Sequence, residues 1–464
     1  VPLKWHCRGA HPRRGAILVI VIIVTMALAA TVLVMCRSMR VESMAAANQA
    51  ASVQAAAIER GAEQYLEALL VTEGNTDIDN VTEDQFAGIQ IGDGYFWVLR
   101  PDYDDPTLPV FGMVKEGGKL NLNTATVDQL MELPGMMDDI AGAIVDWRDD
   151  DQDPSPSGNE TYAKNAPFES VEEMMMLQAE TPETLRELLY GTGGAPPLGQ
   201  VSNGSNVGFN GTQVSDPQLA RGIYDLLTVW SADTGADSNG EAKTNPNTAG
   251  RSTTRTKLEG VIDKGEADRI ASSMPSKRNN SRGFVDIFDF CSKQQVKESD
   301  MDLVNSVLTF SGTQSTKGRI DVNAAPRAVL LTLNGLTEDD VDKLIANRQA
   351  NNTPDSISWV SAALGTKAIG LGNQITTTSS QFSADILAVS GNGRAFKRVK
   401  IVIDNSSGTP QIVFRRDLTD RGWPMDPQIL ASIRAGQGPG NWAAGSGVGS
   451  SPSGAQTGGL GGTF

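Results

Sequence analysis

Residues 16–35, AILVIVIIVTMALAATVLVM, form an uninterrupted apolar run entered through Arg13-Arg14-Gly15. The run holds twenty residues and no charge. As a helix it is about 30 Å long, the thickness of a bilayer core. Lys4, Arg8, Arg13 and Arg14 precede it. That basic flank predicts an N-terminus kept on the cytoplasmic side, with everything after Cys36 delivered across the membrane. The following stretch, RSMRVESMAAANQAASVQAAAIERGAEQYLEALL, has no proline and a single glycine, so helix propensity stays high. Val53, Ala57, Ala62, Leu66, Leu69 and Leu70 keep a helical spacing. The sequence therefore predicts one helix from about Ala16 to Leu70, roughly 80 Å long. Half of it would lie in the membrane and half would carry a domain.

The 464 residues suffice for two or three domains beyond this anchor. A net charge of −16 and a pI near 4.7 argue against nucleic-acid binding, which relies on a basic surface. The three cysteines, Cys7, Cys36 and Cys291, are too few and too scattered for a disulfide framework. The two histidines, His6 and His11, both precede the apolar run. If that leader is removed, imidazole-dependent nucleophile systems and zinc sites go with it, leaving only carboxylate chemistry for an enzyme.

After the long helix, residues 71–90 are polar and turn-rich. DGYFWVLRPDYDD then alternates, with Tyr95, Trp97 and Leu99 on one face and Phe96 and Val98 on the other, the pattern of a strand. PVFGMVKE reads as a second strand closed by Gly117-Gly118. From Lys119 the period turns helical. KLNLNTATVDQLMELPGMMDDIAGAIVDWR (119–148) aligns without a gap to RIDVNAAPRAVLLTLNGLTEDDVDKLIANR (319–348). Asn123/Asn323, Ala125/Ala325, Leu130/Leu330, Leu133/Leu333, Gly135/Gly335, Asp139/Asp339 and Arg148/Arg348 are identical pairs, which points to a duplicated unit. Each copy leads to a further short helix, at 166–177 and 356–364, and 282–290 reads as a third such element. Helices are also predicted in 216–231 and 256–274. The strand period returns at 381–417 as a three-strand meander with turns at Gly391-Asn392-Gly393 and NSSGTP.

The duplicated unit resembles a helix-hairpin-helix. DNA-binding members of that class usually carry Gly-x-Gly in the hairpin. Here the hairpins read LPGMMDD and LNGLTEDD, with the second glycine absent and acids following at once. Those acids would repel phosphate, so a packing module is the expected role.

Between the copies lies DWRDDDQDPSPSGNETY. Asp149, Asp151, Asp153 and Glu160 match the one, three, five and twelve spacing of an EF-hand calcium loop. Pro154 stands where that loop needs glycine, so the expectation is calcium in another geometry, with Asp146, Asp150 and the Tyr162 carbonyl as further oxygen donors. The alternative is a solvated acidic loop.

A short basic leader ending in glycine, followed by an apolar helix that continues as an amphipathic one, resembles the class III signal of type IV pilins and pseudopilins. The resemblance implies cleavage between Gly15 and Ala16 by a prepilin peptidase, and methylation of the new amine. An ordinary secretory signal cut near Ala29-Ala30-Thr31 is the competing reading. Ile20 stands fifth after the cut, where most pilin-like subunits carry Glu. A subunit with no partner for that carboxylate has reason to lack it, since a lone charge in lipid is costly. That suits the end of a filament better than its body.

The stretches 117–177 and 319–345, the final meander and the leader together resemble the K-type minor pseudopilins of the type II secretion system. The implied fold is α+β: a pilin-like long N-terminal helix plus a small antiparallel sheet, interrupted by a large α-helical insertion with duplicated helix-hairpin-helix-like (SAM-like) units. The expected divisions are a leader (1–15), a transmembrane part (16–36) and a periplasmic part (37–70) of the helix. They continue with a first part of the α/β domain (71–118), the insertion with its first hairpin and acidic loop (119–190), and a linker (191–215). The second part of the insertion (216–312), the second hairpin unit (313–378), the completing strands (379–425) and a disordered tail (426–464) complete the chain. The family implies a non-enzymatic subunit at the tip of a periplasmic pseudopilus that supports protein export, anchored in the inner membrane. It also implies calcium in the insertion, carried over to Asp149, Asp151, Asp153 and Glu160. Its partners would be I- and J-type minor pseudopilins, the major pseudopilin and the prepilin peptidase, with no nucleic acid. Two rival readings are a membrane-anchored DNA-uptake protein using the hairpins and a membrane-anchored carboxylate hydrolase.

Overall fold

The structure, a computed structural model, describes residues 14–103, 110–191, 222–233, 235–237, 240–275, 283–310, 312, 316–350 and 356–439. Most of the expected leader, nearly all of the 191–215 linker and the tail beyond 439 lie outside the described residues.

One helix, α1 (Arg14–Asp77), runs for 64 residues, about 96 Å at the helical rise. No proline interrupts it, and it turns out of helical geometry only at Gly74, where φ is 74°. Gly15 and Ala16 lie in its first turn. Its large apolar side chains from Leu18 to Met44 are exposed in the monomer. The buried face begins later, at Ala51, Ala55, Ile58, Ala62, Leu66 and Leu70. Val53 and Ala57 face away, contrary to the sequence expectation. They stand two positions from Ala51 and Ala55, about 200° around a helix of 3.6 residues per turn.

That face packs on a seven-stranded sheet. Its strands are β1 (Ile89–Ile91), β2 (Gly94–Arg100), β3 (Val110–Phe111), β4 (Val114–Lys115), β5 (Gln381–Val389), β6 (Phe396–Asp404) and β7 (Gln411–Asp417). The main path is β1-β2-β5-β6-β7, with β3 on β2 and β4 on β5, all antiparallel. The strand expected in PVFGMVKE is thus two short ones, parted at Gly112, whose φ of 146° strands rarely accept. Phe96 meets Tyr65 of α1 edge-on at 5.6 Å, and Trp97, on the opposite face, meets Trp423 at 6.1 Å. Both faces of β2 are therefore covered, and β5, held between β2 and β6, is buried along nearly its whole length.

The chain leaves the sheet at Gly117-Gly118 and returns at Ser379, and these ends touch. The Gly117 amide donates to Ser379 Oγ at 3.1 Å. A Cβ on Gly117 would sit 2.9 Å from that oxygen, and one on Gly118 3.0 Å from Ala324. Beside them Lys119 pairs with Glu116, both fully buried. Lys119 also donates to Ser383 Oγ of β5 at 3.3 Å, and the Thr228 hydroxyl donates to Glu116. The intervening residues hold a core of their own, continuous from Leu120 to Ile375 and separate from the core of α1 and the sheet.

Among the described residues of this insertion one local pattern occurs at three places. Leu120–Asn121, Thr244 and Ile320–Asp321 each pair in parallel with a later segment, at Leu227–Thr228, Leu308 and Ile375–Thr376. The amides of Asn123, Asn247 and Asn323 donate to the side chains of Asn121, Asn245 and Asp321 at 2.9, 2.9 and 3.0 Å. The amides of Ala125, Ala249 and Ala325 donate to the carbonyls of the same three residues. Two helices follow each: α2 (Val127–Met131) and α3 (Asp138–Arg148), then Arg251–Glu259 and Lys264–Ser273, then Arg327–Leu331 and Glu338–Ala350. Asn123 clamps the backbone of Phe168, and Asn247 clamps that of Phe284 in the same way. The middle occurrence escapes sequence alignment because Thr254, Lys257 and Glu259 stand where the first has Leu130, Leu133 and Gly135.

Three further expectations need correction. The helix expected in 216–231 is, within its described part, a single 3-10 turn (Tyr224–Leu226) followed by the strand Leu227–Thr228, because the backbone there completes the ladder with Leu120–Asn121. Val171–Met176 is 3-10 rather than α-helix. Part of the expected disordered tail is ordered: Pro427–Arg434 is a helix capped by Asp426, with Ile429 and Ile433 buried against the sheet core.

Candidate metal centre

Helix α3 buries Ile140, Ala141, Ala143 and Ile144, and that apolar face carries one acid, Asp146, in the final turn. Asp149 is the C-cap. The intervening Arg148 reaches away, donating to the carbonyls of Leu122 and Ala125. The loop then folds back over the helix. Gly142 and Gly158 make this return possible: a Cβ on Gly142 would lie 2.7 Å from the Gly158 amide, and one on Gly158 would lie 2.0 Å from Asp146 Oδ2. The Ser155 amide donates to Asp146 Oδ1 at 2.8 Å. Asn159 caps a 3-10 turn, Glu160–Tyr162, that aims Glu160 at the helix end.

The result is a convergence of carboxylates. Asp146, Asp149 and Glu160 each offer an oxygen, and these oxygens lie within 4.8 Å of one another. Asp146 Oδ2, Asp149 Oδ1 and both Glu160 oxygens are buried and accept no hydrogen bond among the described residues. The arrangement is electrostatically one-sided. Desolvation raises the Glu160 carboxyl above the usual carboxylate range, reinforced by the charges of Asp146, Asp149, Asp151 and Asp153. Desolvation and the fields of Asp151 and Asp146 likewise raise Asp149. The C-terminal end of a helix is moreover the negative end of its dipole, where an anion is disfavoured. Arg148 opposes the rise at Asp149 without cancelling it, and bare, hard oxygens of this kind are the donor set of calcium or magnesium.

Of the four acids expected from spacing, Asp149 and Glu160 enter this cluster. Asp151 and Asp153 are exposed, and Asp151 Oδ1 accepts the Asp153 amide at 2.9 Å in a local turn. Asp150 and Tyr162 are exposed as well. Asp146 is the member that loop spacing alone does not pick out. The available signal was helical: Asp146 and Asp149 are three apart, hence on one side of α3, and Asp146 interrupts an apolar face.

No family model matches the chain, and no curated protein matches it. Among solved structures it is similar to a chain of the crystal structure of the GspK-GspI-GspJ complex from the enterotoxigenic Escherichia coli Type 2 Secretion System. That likeness covers 82% of this chain and 99% of the other, at 12% identity and a TM-score of 0.31. At so low a score and identity, the likeness carries no weight for the assignment of function.

Proposed function

We propose that this chain is a non-enzymatic minor pseudopilin that caps the tip of a type II secretion pseudopilus and so supports protein export. In this reading a prepilin peptidase cuts between Gly15 and Ala16, the new amine is methylated, and residues 16–36 anchor the chain in the inner membrane with its bulk in the periplasm. I- and J-type minor pseudopilins and the major pseudopilin pack along α1. The three-fold pattern of the insertion acts as a set of helix-hairpin-helix-like packing modules. The first turns of α3 and of Glu338–Ala350 are acidic, which fits packing better than phosphate binding.

One observation carries the proposal. A single 64-residue helix bears bare apolar side chains over its first half and a buried face over its second, under a sheet widened by an insertion with its own core. Helices pack side by side at 8–10 Å, and a head this broad obstructs the next copy above it. Calcium at Asp146, Asp149 and Glu160 would be structural, supplying the positive charge the loop lacks.

Co-purification of the detergent-solubilised full chain with I- and J-type subunits, with and without a chelator, tests the reading. Association in calcium that fades in the chelator is the expected result. Uniform fibres of this chain alone would overturn it.

A further inference from the structure

Glu59 and Glu63 stand one turn apart on α1 and share one cation. Arg415 of β7 donates from Nη2 to Glu59 Oε1 and from Nε to Glu63 Oε1, both at 2.8 Å. Glu59 is 1% exposed. β7 is an edge strand of the sheet, and its residues alternate between exposed and half-buried. Arg415 therefore ties the sheet's least covered strand to the long helix.

Glu59 is the buried member of this group, the Arg415 side chain being 43% exposed, and the Lys397–Asp417 ion pair lies one step along β6 and β7 on the same face. Along α1 the neighbours on the buried face are Ala55, Ile58, Ala62 and Leu66, while Arg60 faces solvent. The strands beneath contribute Val399, Ile401 and Ile403 of β6, Phe382, Ala384, Ile386 and Ala388 of β5, and Phe96 and Val98 of β2 to the same core. With both acids ionised the trio carries a net charge of minus one against apolar side chains. With one proton between them it is neutral and every short contact is kept.

We propose that Glu59, Glu63 and Arg415 form a one-proton clamp between α1 and the edge of the sheet, closed when the two carboxylates share a proton and slackened when it is lost. Burial, with the Glu63 hydrogen bond and charge, pushes the Glu59 carboxyl up to about 7, and Arg415 opposes the rise without cancelling it. The sign follows from linkage. A carboxyl raised in the folded state binds more protons there than in the unfolded chain, so stability falls as pH rises from its unfolded value to its folded one. The clamp thus tightens on mild acidification, whereas an ordinary salt bridge weakens.

The test uses the full chain in detergent, with glutamate side chains labelled with carbon-13 at the carboxyl. Glu59 is assigned as the carboxyl resonance missing in Glu59→Gln. Its titration is followed by NMR, and β7 amide protection is measured between pH 6 and 8 after correction for intrinsic exchange. The clamp requires a Glu59 midpoint near neutrality, β7 protection that falls severalfold as pH rises, and loss of that dependence in Glu59→Gln. A Glu59 midpoint in the ordinary carboxylate range overturns it. So does a pH dependence that survives unchanged in Glu59→Gln. The wild-type titration decides the matter even if the variant folds poorly.

Discussion

Lys119→Met tests how the two cores are joined. The Lys119 and Glu116 side chains are 4% and 3% exposed, and their pair lies where the insertion departs from the sheet. Removing the ammonium leaves Glu116 buried with the hydroxyls of Thr228 and Ser383 and the field of Lys400, and leaves Ser383 Oγ without Lys119. Breaking one side of such a pair costs about 3–5 kcal/mol. At roughly 2–4 °C per kcal/mol for a unit of this size, Tm should fall by about 6–20 °C. The double variant Lys119→Met with Glu116→Leu removes both charges, and such replacements are often close to neutral. Thr228 still accepts the Trp230 amide at 3.0 Å there, while the buried Ser383 hydroxyl loses both Lys119 and Glu116, which keeps the recovery short of complete. The double variant should recover more than half of the loss. Urea unfolding read by tryptophan fluorescence is the assay, with Trp97 in the sheet core and Trp359 in the insertion core. A single-variant cost under about 1 kcal/mol, or a double variant costing as much as the two singles together, would refute the reasoning.

Other outcomes rest on the same structure. Calcium at a hundredfold excess over its Kd should stabilise the chain by about 2.7 kcal/mol, seen as a higher Tm than in a chelator, and Asp146→Asn should abolish the difference. Without metal, the raised carboxyls of Asp149 and Glu160 bind more protons in the folded state, so stability should fall as pH rises through their raised range, and calcium should flatten that slope. Gly158→Ala places a methyl against Asp146 Oδ2 and should remove the calcium response while leaving the sheet core intact by fluorescence. Ile433→Ala should cost about 2–5 kcal/mol in urea unfolding, since that side chain is buried in the sheet core.

Much of the architecture was legible because it is written in periodicity. The apolar run and the alanine-rich stretch after it announced one helix, and alternation at 94–100 and 381–404 announced strands on both sides of a helical insertion. What failed to show was whatever depends on a distant partner. Leu227–Thr228 is a strand because Leu120–Asn121 lies alongside, which no local pattern encodes. The middle occurrence of the repeated pattern survives in polar contacts, Asn247 with Phe284 above all, after its apolar signature has been replaced. Pro427–Arg434 was hidden by the glycine-rich segment after it, although Asp426-Pro427 is a helix-start signal and Ile429 and Ile433 are spaced for one face. At the acidic loop, spacing brought Asp149 and Glu160 together on paper, but a ligand set is assembled by folding. The return over Gly142 and Gly158 is what carries Glu160 to Asp146.

That loop also poses the sharpest question of energetics in the molecule. None of residues 149–167 is buried, so the segment contributes almost nothing to the insertion core. Its order rests on polar contacts: the Ser155 amide on Asp146, the Asn165 side chain on the Asp151 carbonyl at 3.0 Å, and Lys164 on Glu173 at 3.0 Å. Fixing a backbone costs about 1–2 kcal/mol per residue, and a net hydrogen bond returns only about 1. The converging carboxylates push the balance further the wrong way. A divalent ion reverses the sign of that last contribution and replaces the missing apolar burial with ligand bonds. Hydrogen exchange across 149–167 should therefore be near the unfolded limit in a chelator and slow markedly in calcium, with the Leu120–Ile375 core protected in both. Equal protection of the loop in the two conditions would mean that its polar contacts suffice, and the metal reading of Asp146, Asp149 and Glu160 would fail.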